Sequence, residues 1–169
     1  MSRWTEPTRA LPLRWGSYIG RYLAGVSLIV SGAVALQSAT GYFQPALGLG
    51  ALAHVVGWWV IPSAGWRRIW VVLPSLVGVI ILLVGPAVVG LLAIPFACWL
   101  LVRHRPVPTF LLALVVLGAG VLLREVYAEY SGMLPALAIM AGVIVACAWL
   151  ARFAASSRLF HRHRDLPTT

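Results

Sequence analysis

Residues 69–102 read IWVVLPSLVGVIILLVGPAVVGLLAIPFACWLLV, a long apolar run without a charged side chain. Arginines bound it on both sides: Arg67 and Arg68 precede it, and Arg103 and Arg105 follow it. A soluble domain has roughly 25% charged residues, whereas this chain has 10% charged and 61% hydrophobic residues. The run therefore predicts helices that lie in a lipid bilayer and end at the arginines.

A tight turn divides the run at Gly85-Pro86, because neither residue favours a helix interior. At ~1.5 Å per residue, the segments 69–84 and 87–102 are each just long enough for the hydrocarbon core. We expect two transmembrane helices that cross out and back. A re-entrant hairpin is the alternative, and it leaves the flanking arginines on the same side.

Similar apolar segments extend in both directions along the 169 residues. The expected spans are 18–37, 43–61, 69–84, 87–102, 109–123 and 133–154. Twelve of the thirteen arginines lie on one side of these segments, and only Arg124 lies on the other. Short loops rich in arginine stay cytoplasmic. The sequence predicts an all-α, multi-pass membrane protein with six transmembrane helices and both termini cytoplasmic.

This topology divides the chain into three parts. Residues 1–16 are expected to form a cytoplasmic N-terminal segment, residues 17–155 the six-helix transmembrane domain, and residues 156–169 a basic cytoplasmic tail. Arg124 is the only positively charged residue that this topology places outside. No room is left for a second soluble domain.

An internal repeat links the even-numbered spans, each of which begins with Pro-Ala and ends near a tryptophan. The prolines are Pro45, Pro86 and Pro135, and the tryptophans are Trp59, Trp99 and Trp149. Proline suits the first helical turn, and tryptophan suits the headgroup interface. The pattern predicts three helical hairpins. Both a true triplication and independent adaptation of each hairpin to the membrane would produce it.

The repeat unit is similar to the short hairpin of the HdeD family of bacterial membrane proteins. The residues that carry the similarity are Arg21-Tyr22-Leu23-Ala24-Gly25, Gly32, Gly41 and Pro45 in the first hairpin, and Arg68, Gly78 and Gly85-Pro86 in the second. The third hairpin departs from the pattern, since it lacks the arginine and has a longer, charged turn. The resemblance implies six spans in three hairpins, the bacterial plasma membrane and an association with acid resistance. It supplies no catalytic motif.

The formal net charge of +9 does not indicate nucleic-acid binding, because the arginines lie at membrane edges. Anionic lipids at the cytoplasmic face are the expected partners, together with a membrane protein or a second copy of the chain. The sequence contains no hydrolase, zinc-protease or phosphate-loop motif, and Asp165 is its single aspartate. We expect no enzymatic activity, no cofactor and no metal site.

Small residues recur every four positions on three spans, and such faces let transmembrane helices approach closely. The predicted packing residues are Ser27, Ser31 and Ala35 on the first span, Gly50 on the second, and Ala138, Gly142 and Ala146 on the sixth. These faces serve either the bundle itself or a partner. Six tryptophans near the inner ends, Trp58, Trp59, Trp66, Trp70, Trp99 and Trp149, predict an aromatic belt at the interface.

Two polar features are the candidate functional sites. Arg124, Glu125, Glu129 and Tyr130 form an outer cluster, and its two glutamates share one face if the fifth helix continues through Tyr130. It is interpreted as a cation or proton site, a docking patch, or a solvated loop. His54 lies within the second span, where a histidine relays protons or is a hydrogen-bonded structural residue.

The sequence favours a non-enzymatic integral membrane protein. It would act as an accessory or assembly subunit, or as a stress-associated protein, through helix packing and the outer acidic patch. The alternative is a small transport or substrate-capture module with a site between helices, near His54 and the cluster of Arg124, Glu125 and Glu129.

Overall fold

The computed structural model describes Thr8, residues 15–39 and residues 44–162, with side chains described as far as Ser156. Most of the predicted N-terminal segment and half of the predicted tail, residues 163–169, lie outside these residues. Every regular element in the described part is helical. The α-helices are α1 (Tyr18–Gln37), α2 (Pro45–Val60), α3 (Gly65–Ile81), α4 (Ala93–Val102), α5 (Leu111–Val126) and α6 (Met133–Arg162), and short 3₁₀ helices cover Leu82–Val84, Pro86–Leu92, Val107–Phe110 and Tyr130–Gly132.

Four of the described helical segments are long and apolar enough to cross a membrane. They are Tyr18–Gln37, Gly65–Val84, Val107–Val126 and Tyr130–Ser156. Two further apolar segments, Pro45–Val60 and Pro86–Val102, are shorter. The all-helical class is confirmed, and the four long apolar segments are consistent with a membrane protein.

The fourth apolar segment begins as an unusual 3₁₀ helix of seven residues, Pro86–Leu92, before it becomes α4. Such runs rarely exceed three or four residues. Pro95 follows in α4, where it leaves the carbonyl of Leu91 without an α-helical donor because a proline has no N–H. The turn before it is the predicted one, and Gly85 occupies it with φ +123°, a conformation that favours glycine.

Helices α1 and α2 run antiparallel and share the most extensive contact between elements. Gly25 faces Gly57, and Gly32 faces Gly50 two helical turns further along. A Cβ added to Gly57 would lie 2.8 Å from the Gly25 carbonyl oxygen. The backbones of α1 and α2 are therefore in direct contact. Small residues permit this close approach between transmembrane helices.

Two apolar clusters form the core, and α4 contributes to both. Phe96 and Leu100 pack in a cluster with α5 and α6, whereas Cys98 and Val102 pack with Trp58 from α2. A second glycine contact, between Gly90 and Gly120, brings the 3₁₀ segment against α5. The fourth segment thus joins the two halves of the bundle.

Candidate functional site

His54 is fully buried at the meeting point of three helices. Its Nδ1 lies 3.2 Å from the carbonyl oxygen of Ile29 on α1, and its Nε2 lies 2.9 Å from the hydroxyl of Ser75 on α3. Because a carbonyl only accepts, Nδ1 carries the proton and Nε2 is the acceptor. The bonding pattern is that of the Nδ1–H tautomer.

Trp58 completes this polar node one helical turn after His54. Its indole N–H points between two acceptors, His54 Nε2 at 3.2 Å and Ser75 Oγ at 3.1 Å. Trp58 and Ser75 are both buried, so the three side chains satisfy one another away from lipid. The arrangement is that of a cross-link between α1, α2 and α3.

Sequence reasoning found His54 but missed its partners. The sequence predicts Trp58 in the interfacial belt, yet its side chain is 1% exposed, because it lies one turn after His54 on the same buried face of α2. The i, i+4 spacing of the two residues was the available signal. Trp59, Trp66, Trp70 and Trp149 are exposed as expected of a belt, and Trp99 is half-buried.

In the outer cluster, Glu125 and Glu129 do not lie on one continuous helix. Helix α5 ends at Val126, and Tyr127 leaves the helix with φ −118° and ψ 68°. The condition under which Glu125 and Glu129 share a helical face is therefore not met. Arg124 and Glu125 approach to 3.8 Å, with side chains 63% and 75% exposed, which is a weak surface pair.

Tyrosines fix this outer cluster to the bundle. The ring of Tyr127 packs over Gly132, where an added Cβ would lie 2.9 Å from the ring. Tyr130 is exposed, but its Cδ2 lies 3.5 Å from the Cβ position of Gly85 in the outer turn. Among the described residues, no group of three or more His, Cys, Asp and Glu side chains is arranged to hold a metal ion.

The arginines at the other end bind the carbonyl ends of helices. Arg21 Nε donates to Val60 O (3.1 Å) and Arg68 Nη1 to Trp59 O (2.8 Å), both at the end of α2. Arg67 Nη1 donates to Leu101 O (3.2 Å) near the end of α4. Cations are favourable at this negative end of the helix dipole. Arginines predicted as topology signals thus also cap helices.

Helix α4 ends in a Schellman turn that carries three basic side chains. Arg105 N donates to Leu100 O (3.0 Å), and His104 N donates to Leu101 O (3.2 Å), which is the bond pair of this motif. His104 takes the left-handed position with φ 54°, where glycine is usual. Burial, and then the nearby charge of Arg67, lower the pKa of His104 below its ordinary value.

Aromatic rings surround the arginine that begins this turn. The Arg103 guanidinium lies 4.5 Å from the ring centroid of Tyr22 and 5.9 Å from that of Trp99, and it donates to the hydroxyl of Tyr18. The same hydroxyl lies 2.7 Å from Thr8 Oγ1. The cluster ties the start of α1 to the end of α4.

The predicted small-residue faces divide between the interior and the surface. Gly50 lies in the α1–α2 contact, and Ala35 is half-buried. Ser27 and Ser31 are exposed because glycines, which allow a closer backbone approach, occupy the contact face of α1 instead. Ala138, Gly142 and Ala146 are also exposed, and the inward side of α6 consists of Ala136, Met140, Cys147 and Ala151.

The two candidate sites are separate. His54 contacts α1 and α3, whereas Arg124 and Glu125 pair on the exposed end of α5. No hydrogen bond or ion pair between described residues joins His54 to the outer cluster. No family model, curated protein or solved structure matches the chain.

Proposed function

We propose that this protein is a six-span bacterial plasma-membrane protein without enzymatic activity, which serves as an accessory or assembly subunit for another membrane protein. In this proposal the six helices form three hairpins and both termini are cytoplasmic. The stress association implied by the resemblance to the HdeD family also remains a prediction. It is compatible with the subunit role, because neither requires a catalytic site.

Helix lengths support the proposal that the two shorter apolar segments also cross the bilayer. The sixteen residues of α2 extend ~24 Å at ~1.5 Å per residue. In the fourth segment, seven 3₁₀ residues at ~2.0 Å and ten α-helical residues at ~1.5 Å give ~28–29 Å. The hydrocarbon core is ~30 Å thick. The 3₁₀ geometry thus lengthens a short helix to nearly the full depth.

The observation that carries the subunit role is the outward face of α6. Ala138, Gly142 and Ala146 are exposed on it, and a Cβ added to Gly142 would meet no atom within 4 Å. A small-residue face offers close backbone approach to another transmembrane helix. Within the described part of the chain no element packs on this face, which favours a partner helix as its occupant.

The outer patch supplies a second contact in this proposal. Arg124 and Glu125 are exposed in the last turn of α5, and Tyr130 is exposed beyond its end. An exposed patch of both charge signs adds specificity and steering to an interface. It would orient a partner whose helix lies along α6.

Purification in mild detergent tests the proposal. The protein should be recovered with a membrane partner in fixed ratio, and Gly142→Leu should abolish recovery of that partner without lowering the protein's own thermal stability. Val145→Leu is the matched control, since Val145 is exposed one turn further along α6. Glu125→Gln with Glu129→Gln should weaken the complex less than Gly142→Leu does.

Two results would overturn the proposal. Recovery of the protein alone, with Gly142→Leu indistinguishable from the wild type, would remove the subunit role. Labels on either terminus that react from outside intact cells would remove the topology. The two measurements are independent of each other.

A further inference from the structure

Aromatic and basic side chains share the corner where α2 ends and α3 begins. We define the α2–α3 corner as Trp59, Trp66, Arg67, Arg68 and Trp70. The three tryptophans are each more than half exposed, and both arginines are half-buried. The corner is thus an accessible surface in which indole rings flank guanidinium groups.

Hydrogen bonds hold the two guanidinium groups in place. Arg68 donates to the Trp59 carbonyl at the end of α2, and Arg67 donates to the Leu101 carbonyl near the end of α4. The Arg67 guanidinium also lies 5.4 Å from the Trp66 ring centroid. A guanidinium carries five N–H donors in a fixed fork, so helix capping is compatible with a further acceptor. Groups held in this way lose little side-chain entropy when an anion binds.

The outward face of α3 continues from this corner into the bilayer. Ile69, Leu73 and Val77 are exposed along it. Along α3 the surface begins with Trp66 and the two arginines, continues through Ile69 and Trp70, and becomes aliphatic at Leu73 and Val77. A phospholipid presents phosphate, glycerol and acyl chains in the same order, and tryptophan favours the middle zone.

We propose that the α2–α3 corner binds the phosphodiester group of an anionic phospholipid of the inner leaflet. The inference rests on the membrane topology proposed above. Arginine matches phosphate geometry through paired N–H···O bonds.

The charge of the corner sets the expected selectivity. A basic residue near an anionic membrane surface contributes about 1 kcal/mol, which corresponds to about a fivefold change in affinity. We therefore expect the first bound phosphatidylglycerol to be held at least about fivefold more tightly than phosphatidylcholine of the same acyl chains. A lipid bound by hydrophobic contact alone would show no such preference.

Native mass spectrometry of the full chain in detergent measures this preference when each lipid is titrated separately. Arg68→Gln should lower the preference for phosphatidylglycerol about fivefold, and Arg68→Lys should keep most of it because the charge remains. Arg152→Gln is the matched control, since Arg152 is an exposed arginine on the inner part of α6. Thermal unfolding of each variant separates loss of binding from loss of fold.

Each contrary outcome has a definite meaning. Equal binding of the two lipids by the wild type would overturn the proposal. An equal effect of Arg68→Gln and Arg152→Gln would overturn the proposed site, because it would show that the net charge of the protein attracts the lipid diffusely. Displacement of the bound lipid by millimolar inorganic phosphate would assign the corner to soluble phosphate instead. None of these outcomes bears on the subunit role, which is measured through the outward face of α6.

Discussion

Gly32 on α1 and Gly50 on α2 pass so closely that a Cβ added to Gly32 would lie 2.6 Å from the Gly50 carbonyl oxygen. The converse also holds, since a Cβ on Gly50 would lie 2.8 Å from the Gly32 carbonyl oxygen. The neighbours that would have to move are backbone atoms rather than the ends of flexible side chains. The separation of α1 and α2 therefore depends on the absence of these two side chains.

Gly50→Ala should destabilise the protein, because one methyl group would force the two backbones apart. Overpacking of this kind costs about 1–3 kcal/mol. Gly48→Ala is the control on the same helix, since its added Cβ would meet nothing within 4 Å and alanine favours a helix. The free energy of unfolding, measured by denaturant titration in mixed micelles, should fall for Gly50→Ala alone. Equal values for the two variants would contradict the close contact.

An apolar pattern predicts which residues lie in the membrane, and it predicts helix ends only where the helix ends at the membrane. The first span was predicted at 18–37 and is observed at Tyr18–Gln37, because its apolar limits and its helix limits coincide. The sixth was predicted at 133–154, but α6 continues to Arg162. Hydropathy marks the membrane rather than the helix, and a helix continues into water wherever its residues are good helix formers.

The sites were less predictable than the helices because they depend on contacts between elements. The sequence singled out His54 as an intramembrane polar residue, but Ser75, its partner on α3, was indistinguishable from any other serine. Ser27 and Ser31 satisfied the four-residue spacing of a packing face, yet Gly25 and Gly32 form the contact. Spacing alone does not rank glycine above serine, whereas the distance between two backbones does.

Loss of Ser75 should cost less than loss of His54. In Ser75→Ala the indole N–H of Trp58 still has His54 Nε2 as its acceptor at 3.2 Å. Hydrogen bonds between transmembrane helices contribute ~0.6 kcal/mol on average, so we expect a loss of that order. His54→Ala removes the shared acceptor and leaves a cavity, and it should cost about 2–5 kcal/mol. The two unfolding free energies, measured under one set of conditions, check this order.

A double-mutant cycle provides the control for the buried polar node. Trp58→Phe keeps an aromatic ring at the site but removes its N–H donor. Combined with Ser75→Ala, it should cost less than the sum of the single changes, because both remove the same 3.1 Å bond. Strict additivity would show that the bond contributes nothing to stability.

Glycine should be preferred to alanine at position 104. His104 has φ 54° in the Schellman turn after α4, and a left-handed conformation costs a residue with a Cβ roughly 1–2 kcal/mol. His104→Gly should therefore be more stable than His104→Ala by about 1 kcal/mol. Comparing these two variants cancels the loss of the imidazole itself. The thermal midpoints of both proteins in one detergent give the answer, and a more stable alanine variant would contradict the backbone geometry.

Stability should fall as the pH drops below about 6.5, and His104 should account for part of the loss. Burial, followed by the charge of Arg67, lowers the pKa of His104 in the folded protein below its ordinary value of 6.5. As the pH falls from 6.5 through the folded-state pKa, the unfolded chain binds more protons than the folded one, so folding becomes less favourable. Well above 6.5 the imidazole is neutral in both states and contributes no pH dependence.

His104→Asn tolerates the left-handed backbone and does not titrate. The wild type should therefore lose stability relative to this variant as the pH falls through 6.5, and the two should not diverge at pH 8. Unfolding free energies measured between pH 8 and pH 5 test this prediction. Parallel curves for the two proteins would show that folding does not change the pKa of His104.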